Sequence, residues 1–215
     1  MEYQKYLSQI KMQNIEAAVN AASELFRENG IDSVKMTDVA HRAKIGVASV
    51  YRYFDTKEKL VIACAVRMWE QVIGSILPVL KDDGFDGMNG FEKVSRIFGV
   101  YKLLCDEHRD FVKFVALFDS YCLNNKVEPS KLADYEQIIT TLYRYFSDAF
   151  DCGILDGSIR KDVDKKKFYL TCNHALMAVV QKLISGEILS QDDFTDSSEV
   201  DIMTDIFLNY IRALK

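Results

Sequence analysis

Ten glycines and two prolines in 215 residues are too few turn-formers for a sandwich or barrel of short strands, which needs a turn signal about every 8 to 12 residues. The scarcity predicts long helices joined by few loops. With 49% hydrophobic and 27% charged residues the chain can bury a core and is not of disordered composition. An all-α fold follows.

Apolar spacing places the helices. Ile15, Ala18, Val19, Ala22, Leu25 and Phe26 share one face of a helix over 14–29, with Asn29-Gly30 as its stop. Thr37 to Ala43 and Val47 to Phe54 read as two short helices around Lys44-Ile45-Gly46, the second packing through Val50 and Phe54. Asp55-Thr56-Lys57-Glu58 has the D-x-x-E form of a capping box, with Asp55 as the cap of a long fourth helix that ends near Pro78. Residues 81–90 form the clearest loop, and helices are expected at about 91–106, 108–124, 129–152, 164–186 and 197–214. Residues 168–184 are apolar around most of the circumference, which suits either an interior helix or one shared with a partner subunit; Val200, Met203, Phe207, Tyr210, Ile211 and Leu214 continue the pattern.

No run of 18 apolar residues occurs and the first residues lack an apolar leader, so a cytoplasmic protein without a membrane role is expected. Cys64, Cys105, Cys122, Cys152 and Cys172 are odd in number and far apart, reading as core residues and not as a disulfide framework or zinc site. His41, His108 and His174 are dispersed, and His174, in an apolar stretch, reads as a core histidine. No phosphate-binding glycine motif and no H-E-x-x-H is present, so no cofactor, metal or catalytic residue is expected.

Charge is uneven along the chain. Residues 1–59 hold 9 basic and 8 acidic groups, and the remainder 18 and 24, so the acidic surplus lies beyond residue 59. Between Lys35 and Lys59 stand Lys35, Arg42, Lys44, Arg52, Lys57 and Lys59 against Asp38, Asp55 and Glu58, with Tyr51 and Tyr53 among them. Cations and hydroxyls together suit phosphate oxygens. Two short helices around a tight turn form a helix-turn-helix, whose second helix offers its N-terminus to the major groove. Here that end carries Val47, Ala48 and Ser49: small side chains for close approach, methyls for thymine and a hydroxyl for a base edge or phosphate. Arg52 can bond a phosphate or read guanine.

Ala21 to Leu60 resembles the DNA-binding domain of TetR-family (tetracycline-repressor-type) regulators. The resemblance rests on A-A-x-x-L-F at Ala21 to Phe26, Gly30, M-T-D-V-A at Met36 to Ala40, Ala43, and Y-R-Y-F-D-T-K-E-K-L at Tyr51 to Leu60; Asp156 to Asp164 also looks like the loop preceding the family's dimerising helix pair. Where the family usually has A-G-V-S-x-G-T-L-Y, this chain has Lys44 for the turn glycine and Gly46 for the capping hydroxyl, and Lys35 replaces another capping hydroxyl, leaving Ser33 or Thr37 for that task.

The resemblance implies a helix-turn-helix DNA-binding domain over 1–55 and a helical effector-binding and dimerisation domain over 56–215, in a repressor that binds palindromic operator DNA as a homodimer through its last two helices. It assigns phosphate contacts to Thr37, Tyr51, Tyr53 and Lys57, and base contacts to Val47, Ala48 and Ser49, with Arg52 and the basic Lys35 beside them. It also implies an effector, and the ring-rich second part gives that effector an apolar or aromatic character, with Trp69, Tyr101, Phe114, Phe118, Tyr121, Tyr143 and Phe146 as walls and Asn173 and His174 as polar anchors. The rival classes are an enzyme or a helical scaffold with no DNA role.

Overall fold

In the computed structural model, which describes residues 2–81, 83–186 and 197–213, every described element is helical. The order is α1 (Glu2–Asn29), α2 (Met36–Ala43), α3 (Val47–Phe54), α4 (Lys57–Val79), α5 (Asp83–Asp86), α6 (Gly90–Phe98), α7 (Val100–Glu107), α8 (Arg109–Asn124), a 3-10 turn at Pro129–Leu132, α9 (Ala133–Asp156), α10 (Lys165–Ser185) and α11 (Ser198–Ile211). Leu214 of the expected last stripe and Asp82 of the expected loop lie outside the described residues. No described helix is long and apolar enough to cross a membrane.

The chain divides into two compact units, Met1–Glu70 with Phe114–Tyr135 and Gln71–Lys113 with Glu136–Lys215. In the first, α1 packs on α2 and α3 around Ala18, Ala22, Phe26, Val39, Val50 and Leu60, all at most 1% exposed. The second is centred on rings. Phe98, Phe146, Phe150 and Phe168 stand with centroids 5.5 to 6.2 Å apart, α7 packs against α10, and α11 lies on α6, α7 and α10.

Several expectations are corrected. The first helix begins at Glu2, not near residue 14: Tyr3, Tyr6, Leu7 and Met12 are apolar or aromatic but exposed, so these turns lengthen the helix ahead of the buried face that begins near Ala18. Helix 91–106 is divided at Gly99, although Gly99 N–H still donates to Ser95 O (3.0 Å) and its carbonyl accepts from Leu103 N–H (3.3 Å). The 81–90 loop contains the short α5. Asp55 does not cap α4: Lys59 N–H reaches Thr56 Oγ1 (3.3 Å), while the Asp55 carboxylate pairs with Lys59 Nζ (3.0 Å) and Glu58 with Lys131 Nζ (2.9 Å). Ser33 caps nothing ahead of it; its hydroxyl donates to Asn29 O (2.5 Å), closing α1, and α2 is opened by the Asp38 carboxylate accepting from Lys35 N–H (2.8 Å). His174 is exposed and is not a core residue. Cys64, Cys105 and Cys172 are buried, whereas Cys122 and Cys152 are half-buried.

Two glycines show why α6 and α9 can cross closely in the second unit. A Cβ on Gly90 would stand 1.9 Å from Gly153 N and 2.6 Å from Ala149 O, and one on Gly153 would stand 2.5 Å from Ile159 Cδ1. Only hydrogen fits there. The contact is tied by Asp156, which accepts from Gly90 N–H (2.7 Å) and from Ser158 N–H (2.8 Å).

Candidate nucleic-acid interface

The helix-turn-helix is built by capping geometry. Helix α2 closes with Ile45 N–H on Ala40 O (3.1 Å) and Lys44 N–H on His41 O (3.2 Å), a Schellman-type end that requires a left-handed residue. That residue is Lys44, at φ 56° and ψ 38°. Gly46 is extended (φ -64°, ψ 137°) and accepts from Ser49 N–H (2.8 Å) and Val50 N–H (3.2 Å), so α3 starts at Val47 without a side-chain cap.

Helix α3 therefore has two sides. Val50 (0%) and Phe54 (6%) are buried, whereas Val47 (41%) and Tyr51 (49%) are exposed together with Ala48 and Arg52. Ser49 and Tyr53 are half-buried. Arg52 reaches back to Ser49 Oγ (3.2 Å) and Tyr53 Oη (3.4 Å), its guanidinium 5.2 Å from the Tyr53 ring centre. Asn14 Nδ2 of α1 donates to the same Tyr53 hydroxyl (3.4 Å). These donors, Asn14 foremost and then Arg52, hold the phenol below the usual tyrosine range by stabilising its anion. Lys35 and Thr37 are exposed at the start of α2. Lys57, half-buried, donates to Asp32 O (2.9 Å), and burial draws its ammonium below the ordinary lysine value. Arg42, in the last turn of α2, is engaged by Glu28 (2.8 Å) and Glu24 (3.3 Å) of α1.

The expected effector residues divide between the units. Trp69, Phe114, Phe118 and Tyr121 are buried in the first, where Phe118 meets Tyr135 at 4.7 Å and burial pushes the Tyr135 phenol well above its ordinary range. Tyr101, Tyr143, Phe146, Asn173 and His174 belong to the second. Tyr101 and Phe146 are buried, Tyr143 and Asn173 half-buried. Tyr101 O–H donates to Asn173 Oδ1 (2.5 Å), and burial raises the Tyr101 phenol far above the normal value. Tyr169 stands 5.0 Å from Tyr143 and 4.9 Å from Phe146, with its own phenol pushed up to about 12 by burial. Spacing in the sequence singles out neither Tyr169 nor Asn14: the first looks like any core ring, and the second is one polar residue on the stripe that runs from Tyr3, Leu7 and Ile10 to Ala18.

Residues 18–64 match the family model of bacterial regulatory proteins of the tetR family, which spans α1 from Ala18, the helix-turn-helix and the start of α4. Residues 18–64 are thus those of a TetR-family DNA-binding domain. A TetR-family transcription regulator is not an enzyme. The chain is 23% identical over 146 residues to the HTH-type transcriptional repressor KstR2 of Rhodococcus jostii, covering 68% of each protein. The fold is shared with the regulator FadR from Bacillus subtilis in complex with stearoyl-CoA (TM-score 0.64, 17% identity, 94% of this chain and 99% of that one). It is also shared with the ketosteroid regulator KstR2 of Mycobacterium tuberculosis (TM-score 0.60, 16% identity, 93% and 95%).

Proposed function

We propose that this chain is a TetR-family repressor that binds palindromic operator DNA as a homodimer and is released by a small, largely apolar effector. The observation that carries the DNA reading is the outer side of α3, where Val47, Ala48, Tyr51 and Arg52 are exposed around a glycine-capped N-terminus while Val50 and Phe54 anchor the helix. Thr37, Tyr51 and Tyr53 supply phosphate contacts; Val47, Ala48 and Ser49 face base edges. Lys57 acts chiefly by fixing the start of α4 against Asp32 O, and its charge adds to the phosphate attraction.

Dimerisation is supported by exposed apolar residues recurring every fourth position: Leu170, with Ala178 two turns on, in α10, and Ile202, Ile206 and Tyr210 in α11. Two recognition helices reading a palindrome stand about 34 to 36 Å apart, or a multiple of that, so assembly is part of the mechanism. The effector reading is supported by the Tyr101–Asn173 pair set among Phe98, Tyr143, Phe146 and Tyr169, an apolar surround with one polar anchor. Of the relatives with this fold, one is named for ketosteroids and one holds stearoyl-CoA, both ligands with large apolar bodies.

The test is selection of genomic duplexes by the purified protein, followed by titration of the retained duplex with stearoyl-CoA and with a ketosteroid. Retention of a palindromic duplex and its release by one ligand are expected. Failure to retain any duplex overturns the DNA reading, and retention with no release by either ligand overturns the apolar-effector reading. A hundredfold loss of operator affinity corresponds to a coupling of about 2.7 kcal/mol.

A further inference from the structure

Asn14 lies four residues before the segment that matches the family model, yet its amide reaches 39 residues along the chain to the recognition helix. Its partner there, the Tyr53 hydroxyl, accepts from both Asn14 Nδ2 and Arg52. A phenol has one proton and two acceptor lone pairs, so with both bonds received the Tyr53 hydroxyl can only donate, and the neighbouring Ser49 hydroxyl is the acceptor it has within the protein until an anion, a stronger acceptor, takes its place. Ser49 Oγ accepts from Arg52 in the same way. The cluster thus holds the Tyr53 hydroxyl as a donor next to a guanidinium that α3 leaves exposed, an arrangement suited to a phosphate oxygen.

We propose that Asn14 is a positioning residue for DNA binding, holding the Tyr53 hydroxyl as a hydrogen-bond donor to a backbone phosphate. The proposal rests on the DNA-binding reading above. Asn14 touches no DNA in this scheme. It acts by fixing the phenol from the α1 side while Arg52 fixes it from the α3 side, so the ring enters the complex already oriented and little rotamer freedom is lost on binding. The neighbouring donors also make the phenol more acidic, hence a better donor to an anion.

The experiment is a double-mutant cycle on the full-length protein with a duplex retained by the wild type from genomic fragments, read by fluorescence anisotropy. Asn14→Ala and Tyr53→Phe should each weaken binding about three- to tenfold, and the double variant should bind no more weakly than Tyr53→Phe alone. In the absence of DNA, carbon-13 NMR of labelled tyrosine should show the Tyr53 pKa rising in Asn14→Ala, while thermal unfolding stays within about 1 °C of wild type. Additive losses in the cycle, or an unmoved Tyr53 titration, overturn the positioning role while leaving the DNA reading intact. A wild-type protein that retains no duplex, with the Tyr53 titration still moving in Asn14→Ala, overturns the DNA reading and removes the positioning role with it.

Discussion

Lys44 stands in a conformation that costs an L-residue about 1 to 2 kcal/mol, and the Schellman-type end of α2 holds it there. Glycine adopts that region freely but has more freedom to lose on folding, so Lys44→Gly should stabilise the protein by about 0.5 to 1 kcal/mol, seen as a higher midpoint in urea with an unchanged slope. A decrease would mean that the lysine side chain stabilises the turn. Asp55 also has a positive φ (61°, with ψ -56°), here as the centre of a three-residue turn closed by Thr56 N–H on Phe54 O (2.6 Å). That geometry takes Asp55 out of the capping position its sequence pattern implied and passes the task to Thr56. Thr56→Ala should therefore cost about 1 kcal/mol, whereas Asp55→Asn, which loses only an exposed pair with Lys59, should cost less than about 0.5 kcal/mol. Equal losses in denaturant unfolding would restore Asp55 as the cap.

Helix crossings decide the next scale. Gly90→Ala puts a methyl into the Gly153 backbone and should destabilise by at least about 3 kcal/mol, since backbone on both helices would have to move. Gly74, inside α4 with nothing within 4 Å of where a methyl would stand, is the control: Gly74→Ala should stabilise by about 0.5 to 1 kcal/mol. The same α6–α9 junction is pH-sensitive. Hydrogen bonds from Ser158 and Gly90 hold the Asp156 carboxyl below its ordinary value, so its contribution is complete above the unfolded carboxyl pKa, about 3.9, and is lost as pH falls through the lower folded value. Asp156→Ala should cost about 1 to 3 kcal/mol at pH 7, because Gly90 N–H loses its acceptor, and the difference from wild type should narrow below about pH 4 in acid unfolding. Element identity is largely legible in the sequence: the bounds of α3 can be read from it, since Val50 and Phe54 sit at helical spacing between Gly46 and the Asp55-Thr56 pair that precedes the next helix. What cannot be read depends on partners distant in sequence. Gly90 looks like a loop residue until Gly153 is laid against it, whereas the early start of α1 is legible in Tyr3, Leu7 and Ile10 at helical spacing, a stretch the 14–29 reading leaves out.

At the scale of the molecule, the outer face of the last helix pair separates residues that one apolar pattern had joined. The near-complete apolar circumference of α10 divides by burial in the single chain: Leu176 is 0% exposed, whereas Leu170 is 41% exposed, and in α11 Ile202 and Ile206 are 60% and 56% exposed. A charge at Leu176 would be buried without a partner and should unfold the unit, which makes Leu176→Glu a poor probe of assembly. Ile206→Glu instead places its carboxylate on a surface already in water in the isolated chain, so it should leave the helical circular dichroism and the unfolding midpoint of the subunit intact. In a dimer built on α10 and α11 the same carboxylate would be desolvated, so sedimentation at micromolar concentration should shift from dimer to monomer. Because one subunit reads only half of a palindrome, the monomer should lose roughly a hundredfold or more in operator affinity while keeping its weaker grip on random duplex. An Ile206→Glu protein that sediments as a dimer would place the interface elsewhere on the chain.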